Sequence, residues 1–506
     1  MKVYDYSHNT IVVGGGTSGL VLARRIARGA DVLILESSKI KAMPPWYRVP
    51  LMIGLLFKSS NKFVKIIQFN GIGASKVPYF VSRVFGGSSV MNGAVHVFGS
   101  LDLWRSTLKK FNLKEDFLLE SYRGIFSSSE PGKIFIKKAE AGKLENDFLS
   151  SVKEYFKVSF GDTSDSSKES CGSIVNTVGR FFRTSVAASL DIPSNVEIRL
   201  NSTVDNLVLN DQSEVIGVMS KGEVFLASKV ILSGGVIGTN KLLLSEIYNL
   251  TQKKYAQPPW KAGNGIADHP NIRINVLSGK RLYSLNEVQK SFLLKTRFLM
   301  QYLLGKSNLL QGTGATAAAN LSMNNSEFPN IRLNLLRFYE DSRTGGQLLG
   351  STLPGFSLSI SVVRPHSRGS VVFDEHGEAN ITPNYMLDDR DRELYREAIR
   401  SSVKLLQNGP LSKNVAEILN LDKIMENIDD YIDSNTYSGY HLIGGAHNLV
   451  DSDFKVLGVE NLYICDASVL DDYPSSNIHS SVILLADMFA RRFIQQNPTS
   501  SKLEKY

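Results

Sequence analysis

Only two of the 506 residues are cysteine, Cys171 and Cys465, too few for a disulfide framework or a cysteine-rich metal centre. No uninterrupted apolar run reaches the roughly 20 residues that span a bilayer. No long basic run concentrates the formal charge of +8, the small difference between 57 basic and 49 acidic residues, so no nucleic-acid partner is expected. Histidine, cysteine and carboxylate clusters at metal-ligand spacing are missing, as is a G-x-S-x-G nucleophile elbow. Internal repeats and low-complexity segments are missing too. A glycine-rich strand begins about ten residues after Met1, which leaves little room for a signal peptide and gives the expectation of a cytoplasmic protein. At 42% hydrophobic and 21% charged, the composition is that of an ordinary globular chain whose length calls for two domains, interleaved along the sequence.

What is present is a phosphate site at the start of the chain, in IVVGGGTSGLVLARRIARGADVLILE, residues 11–36. Ile11, Val12 and Val13 read as a buried parallel strand. Gly14, Gly16 and Gly19 form G-x-G-x-x-G, and a helix continues through Leu20 to Ile26. The first glycine permits the turn, the second lets a pyrophosphate approach the backbone, and the third lets helix pack on strand. The helix N-terminus then presents free N–H groups, those of Thr17 and Ser18 among them, to phosphate. A second strand, Val32–Leu35, ends at Glu36, where an acidic side chain accepts hydrogen bonds from an adenosine ribose. Strand, helix, strand and acid in this order predict a dinucleotide site.

Downstream, residues 37–85 read as an irregular excursion broken by Pro44, Pro45 and Pro50. Residues 107–180 look helical and polar, and 196–233 alternate as strands that form an antiparallel meander leading to a buried strand. Leu358–Val363 and Gly369–Phe373 read as strands and Arg390–Leu406 as a helix. One stretch, Lys290–Lys306 (KSFLLKTRFLMQYLLGK), is apolar with scattered basic residues. It has the pattern of an interfacial helix, but the reading adopted is a helix packed on the protein's own core with its lysines in water. Weak peripheral contact with a membrane stays open.

Four further segments carry a family resemblance: GGSSVMNG (Gly86–Gly93), SGGVIGTNKLLLS (Ser233–Ser245), ADHP (Ala267–Pro270), and YHLIGG (Tyr440–Gly445) followed by VENLYICDASVLDDYPSSNIHSSVILLADMFA. In order and spacing the chain resembles the glucose-methanol-choline (GMC) flavin oxidoreductases over nearly its whole length. The resemblance implies an α/β fold with FAD as cofactor. It implies a Rossmann-like FAD-binding domain assembled from discontinuous segments, 1–106, 181–270 and 434–506. An α+β substrate domain with an antiparallel sheet would come from 107–180 and 271–433. It places Gly87, Ser88, Ser89 and Asn92 beside the flavin, where bulky side chains would collide, and Val204 against the adenine. Asp466, Ala467, Asn477 and His479 fall where the family meets the flavin from a helix start. There Pro474–Asn477 reads as capping chemistry and the dipole favours an anionic flavin. Some relatives attach FAD covalently through a histidine before the Asn of the flavin loop; here that residue is Met91, so a non-covalent cofactor is expected.

Alcohol oxidation needs a base of near-neutral pKa opposite the flavin, and histidine suits that role. The family's two positions fall on His441, as the base taking the hydroxyl proton, and His479, as the group holding the substrate oxygen. The implied reaction is hydride transfer from a CH–OH donor to flavin, with an unidentified electron acceptor reoxidising it. The alternative is a hydroxynitrile lyase-like enzyme in which FAD is structural. His269 is taken as structural, and His96 as either a ring contact or packing. Two departures from the family pattern stand out. Gly445 and His447 alter the YH loop, and Asn240 and Glu246 replace the usual Pro and Gly of the second signature. The apolar residues around Phe292–Leu304 favour an apolar or aromatic alcohol over a sugar.

Overall fold

The computed structural model describes residues 2–56, 61–212, 214–252, 262–305, 309–340 and 353–497. The β-branched run at the start lies at the end of a long strand, Val3–Val13, which pairs in parallel with Val32–Leu35 on one side and Glu223–Leu232 on the other. Val196–Arg199 extends the parallel set beyond Val32–Leu35. Strands covered on both faces need continuous apolar sequence, and all four residues of Val32–Leu35 are buried. Glu223–Leu232 is long enough to serve two neighbours on its far edge. Its first half takes the antiparallel strand Val215–Ser220, which pairs in turn with Val204–Leu209, and its second half takes Leu462–Ile464 in parallel. This seven-stranded mixed sheet therefore aligns Val13, Leu35, Leu232 and Ile464. The residues that follow them gather at the carboxyl ends of parallel strands, where open α/β sheets bind ligands.

Helices Thr17–Ile26 and Ile478–Gln496 pack on each other. The buried Asp487 pairs across to Arg25 at 2.7 Å and, along its own helix, with Arg491 at 2.8 Å. Two further mixed sheets complete the α/β fold. An eight-stranded sheet is built on the antiparallel run Pro270–Leu277, Gly355–Val362, Ile331–Leu336, Ala315–Leu321 and Ser170–Ser173. A six-stranded sheet runs in the order Ile443–Gly445, Asn264–Ala267, Gly369–Phe373, Ala379–Thr382, Val64–Asn70 and Lys76–Ser82.

Two sequence readings need correction. Residues 37–85 are not wholly irregular, because Val64–Asn70 and Lys76–Ser82 form a hairpin with Phe69 opposite Val77 and Gln68 opposite Pro78. The breakers Pro44, Pro45 and Pro50 all precede this hairpin, and its own Pro78 lies on the outermost strand of the sheet, where proline is tolerated. The second correction concerns Phe292–Leu303. It is a helix, yet Tyr302 is its one buried residue, whereas Phe292 and Leu293 are each 80% exposed. No helix among the described residues is long and apolar enough to cross a membrane.

Candidate active site

The carboxyl ends of the parallel strands open onto a cavity of about 1610 Å³. A single small-molecule pocket runs to about 300–1,000 Å³, so this space suits a large cofactor together with a substrate. At one end lie Gly14, Gly16, Thr17, Ser18 and Glu36. Gly14 has φ +107°, and a Cβ there would stand 2.5 Å from the Ser233 carbonyl oxygen; a Cβ on Gly19 would stand 1.9 Å from the Gly14 carbonyl oxygen. These two glycines are required by packing. At Gly16 the nearest atom to a built Cβ is 4.0 Å away, so that glycine leaves open space in the cavity. Gly16 is also the N-cap of Thr17–Ile26 and supplies no side chain to its first turn, which leaves a helix N-terminus suited to phosphate. Glu36 accepts hydrogen bonds from Gly15 N–H at 2.7 Å and Ser38 N–H at 2.6 Å. Its carboxylate is thereby held at the cavity wall.

Gly87, Ser88, Met91 and Asn92 line the middle of the cavity. Gly87 has φ +57°, and a Cβ would meet Gly16 Cα at 2.9 Å, so the two glycine loops touch backbone to backbone. The sequence reading missed what holds this loop. Arg183, buried, donates to the carbonyls of Asn92 and Val90 at 2.8 Å each and to that of Tyr47 at 2.9 Å. Nothing in the surrounding RFFRTSV distinguishes that arginine from its neighbour. Gly19 and Ser89 stand behind the wall, and Ser89 Oγ donates to the Gly86 carbonyl at 2.7 Å. Val204 is not among the lining residues; it begins the strand Val204–Leu209, two residues beyond Ser202, whose N–H donates to the Glu36 carbonyl.

His441, Asp466, Ala467, Asn477 and His479 also line the cavity. Asp466 is a brace: its carboxylate accepts from Gly235 N–H at 2.9 Å, Thr239 Oγ1 at 2.6 Å and Ser468 N–H at 2.8 Å. Burial pushes its pKa up while these donors pull it down. His441 follows Tyr440, whose φ of +63° is rare for a bulky residue. That turn is held by Tyr440 N–H donating to Ser438 Oγ at 2.9 Å and His441 N–H donating to Asp268 at 2.8 Å. Asp268, raised to about 6 by burial, also accepts from Tyr385 and Ser438. Strain at Tyr440 is therefore offset by a buried carboxylate beneath it.

His269, read from sequence as structural, does not line the cavity but stands behind His441. Its Nδ1 lies 2.9 Å from His441 Nδ1, and its Nε2 lies 2.9 Å from the Val363 carbonyl oxygen. A carbonyl only accepts, so His269 Nε2 carries the proton. With both rings neutral, His269 Nδ1 is then an acceptor and His441 Nδ1 the donor. This fixes His441 as the tautomer with an unprotonated Nε2, which faces Asn477 Nδ2 at 3.1 Å. Burial, then the neighbouring His269, hold the His441 pKa well below the ordinary histidine value, so the ring is a neutral base at pH 7.

The capping expected at this helix start is not made. Asn477 is the N-cap of Ile478–Gln496 but makes no side-chain cap bond, because its amide is turned to His441. His479, lowered to about 4 by burial, leaves Nε2 buried without a partner among the described residues. Ser476 Oγ is likewise unpaired. Unpaired buried polar atoms on a cavity wall call for a ligand. His96 is a packing residue, bonded to Tyr122 Oη at 3.0 Å and set against Phe126. His447 is not among the lining residues and lies against Gly265. The two departures in the family signatures meet each other. A Cβ on Gly445 would stand 2.4 Å from Asn240 Nδ2, and Asn240 accepts from Gly263 N–H at 3.0 Å while donating to the carbonyls of Val236 and Gly444.

Comparison with known proteins agrees with this geometry. Residues 365–486 match the family model described as GMC oxidoreductase. Over 98% of its length the chain is 24% identical to the oxygen-dependent choline dehydrogenase of Photobacterium profundum, covering 94% of that protein. It is also 24% identical to the glucose dehydrogenase [FAD, quinone] of Drosophila pseudoobscura pseudoobscura, with 96% of this chain and 86% of the other covered. Among solved structures, an Aspergillus oryzae formate oxidase variant superposes with a TM-score of 0.85 at 20% identity, covering 98% of this chain and 99% of that one. A pyridoxine 4-oxidase from Mesorbium loti gives 0.81 at 16%, covering 97% and 99%. From the motifs, the cavity and these likenesses together, residues 365–486 carry the GMC oxidoreductase C-terminal domain and the chain is similar over nearly its whole length to glucose-methanol-choline (GMC) oxidoreductases.

Proposed function

We propose that this protein oxidises a CH–OH donor to a carbonyl, with His441 as base, His479 holding the substrate oxygen and FAD bound without a covalent link. The observation that carries the reading is a single cavity joining the Gly14–Glu36 loop to His441 and His479. The residues present fit the cofactor: helix N-terminus for phosphates, Glu36 for a ribose, the Gly87–Asn92 loop for the ring, and Met91 where a covalent link would need histidine. The divisions 1–106, 181–270 and 434–506 for the cofactor and 107–180 and 271–433 for the substrate follow from the same reading. The chemistry a bound FAD supplies is acceptance of the hydride released from the carbinol carbon. On the protein side, His441 Nε2 takes the hydroxyl proton, and its Nδ1–H stays on His269. His479 donates to the oxygen as negative charge develops there, and the first turn of Ile478–Gln496 adds its dipole.

The lyase alternative is not favoured, since these relatives are dehydrogenases and oxidases. Phe298, Leu310 and Phe338 on the cavity wall support an apolar alcohol over a sugar. The test is anaerobic addition of primary alcohols to the yellow holoprotein. Bleaching by an alcohol, lost in His441→Ala, is the expected result. A protein that stays yellow with every alcohol, or one that folds but takes up no FAD, refutes the reading.

A further inference from the structure

The helix Phe292–Leu303 is apolar on two sides. Inward, Leu294 and Phe298 pack against a cluster containing Leu285, Val288 and Leu309, and Lys295, Phe298 and Leu299 line the cavity. Outward, Phe292, Leu293, Leu299, Met300, Leu303 and Leu304 are between 50% and 80% exposed. At about 100° per residue these six fall within an arc of about 140°, so they form one stripe. A helix apolar all round belongs in a core or against lipid, and this one has a core on one side only. The charge nearby is of one sign. Residues 280–305 contain five basic residues and one acid, Glu287; that acid is half-buried, accepts from the N–H groups of Ser284 and Leu282 and pairs with Arg281 at 3.9 Å, which leaves the other four cations in excess. Lys295 and Arg297, both exposed, flank the stripe. At its C-terminal end Tyr302 packs on Phe181, beside Arg180 and the exposed Phe182, whose ring lies under Arg48.

We propose that this stripe seats the protein on an anionic lipid bilayer, with the cavity mouth at the membrane surface. An apolar helix face rimmed by cations matches an interfacial helix, and charge complementarity selects anionic headgroups. Another protein surface would have to supply both an apolar groove and acidic residues. The holoprotein is floated with vesicles of phosphatidylcholine alone or mixed with phosphatidylglycerol. Binding to the mixed vesicles should exceed binding to phosphatidylcholine by about tenfold. The pair Leu293→Asp and Leu304→Asp, at exposed positions outside the cavity lining, should lose it while keeping the melting temperature and FAD content. Arg297→Glu alone should weaken it several-fold. Absence of binding to either vesicle, or binding unchanged in the paired variant, overturns the proposal. So does a solution dimer that ignores vesicles and that the pair makes monomeric, which would assign the stripe to a second copy. Binding is read without turnover, so its failure leaves the functional reading standing.

Discussion

His441 and His269 face each other Nδ1 to Nδ1 at 2.9 Å, and the Val363 carbonyl decides which ring donates. The consequence is a base whose lone pair is fixed toward the cavity by a neutral partner. Replacing His441 by Ala should lower kcat by about 10²–10⁴. His269→Ala should cost about tenfold to a hundredfold while leaving FAD content unchanged. His269→Gln should recover much of that loss, because an amide supplies the same acceptor toward His441 and donor toward Val363. Equal losses in the two His269 variants would show that ring stacking on Tyr473, at 3.8 Å, matters more than the proton's position.

Asn477 offers the complementary test. A neutral amide beside His441 Nε2 leaves that nitrogen unprotonated, whereas a carboxylate at the same place would stabilise the imidazolium. Asn477→Asp should therefore cut activity at neutral pH by at least about tenfold and move the acid limb of kcat/KM to higher pH. Asn477→Ser should leave the limb where it is, below the ordinary histidine value. An acid limb that does not move in Asn477→Asp would separate Asn477 from the proton at His441.

The cofactor loop was legible because it depends on local sequence, whereas His441 and His479 were singled out only by the family resemblance. Three glycines at fixed spacing between strand and helix suit little besides a phosphate-binding turn, and Glu36 follows from the length of one βαβ unit. What was not legible depends on contacts made across the fold. Asn477 looks like a cap, since its neighbours on the chain give no hint that His441, far away in sequence, takes its side chain. His269 becomes a partner of His441 only because Val363 stands behind it. The hairpin 64–82 was hidden because the breakers Pro44, Pro45 and Pro50 ahead of it make the whole of 37–85 read as irregular. The exposed side of Phe292–Leu303 was hidden because its apolar pattern also fits a core helix, and only packing tells the two apart.

The glycine loop yields a prediction that separates folding from binding. Gly19→Ala places a methyl 1.9 Å from the Gly14 carbonyl oxygen, an overlap backbone must relieve, so this variant should fail to fold or lose several degrees in Tm. Gly16→Ala meets nothing closer than 4.0 Å in the protein. It should keep the apoprotein's Tm within about 2 °C and yet weaken FAD retention at least about tenfold. Far-UV circular dichroism and FAD titration of the apoprotein distinguish the cases. An apoprotein with Gly16→Ala that binds FAD normally would remove this loop from the cofactor site.

Acid sensitivity follows from the buried histidines. His96 is lowered to about 3, His269, His447 and His479 to about 4, and His441 well below 6.5, burial being the largest cause in each. Between these values and 6.5 the unfolded chain binds protons that the native state refuses, so stability rises with pH and is lost as pH falls through that window. Asp268, raised from 3.8 to about 6, and Asp466, also raised, act in the opposite sense over the range above 3.8. Five groups against two leave a net loss on acidification. The Tm of FAD-saturated protein should fall steadily from pH 7 to pH 5. His96→Gln, which keeps a partner for Tyr122, should flatten that fall by removing one of the five. A Tm independent of pH across this range would mean that these rings are charged or solvated in the folded protein, and His441 with them.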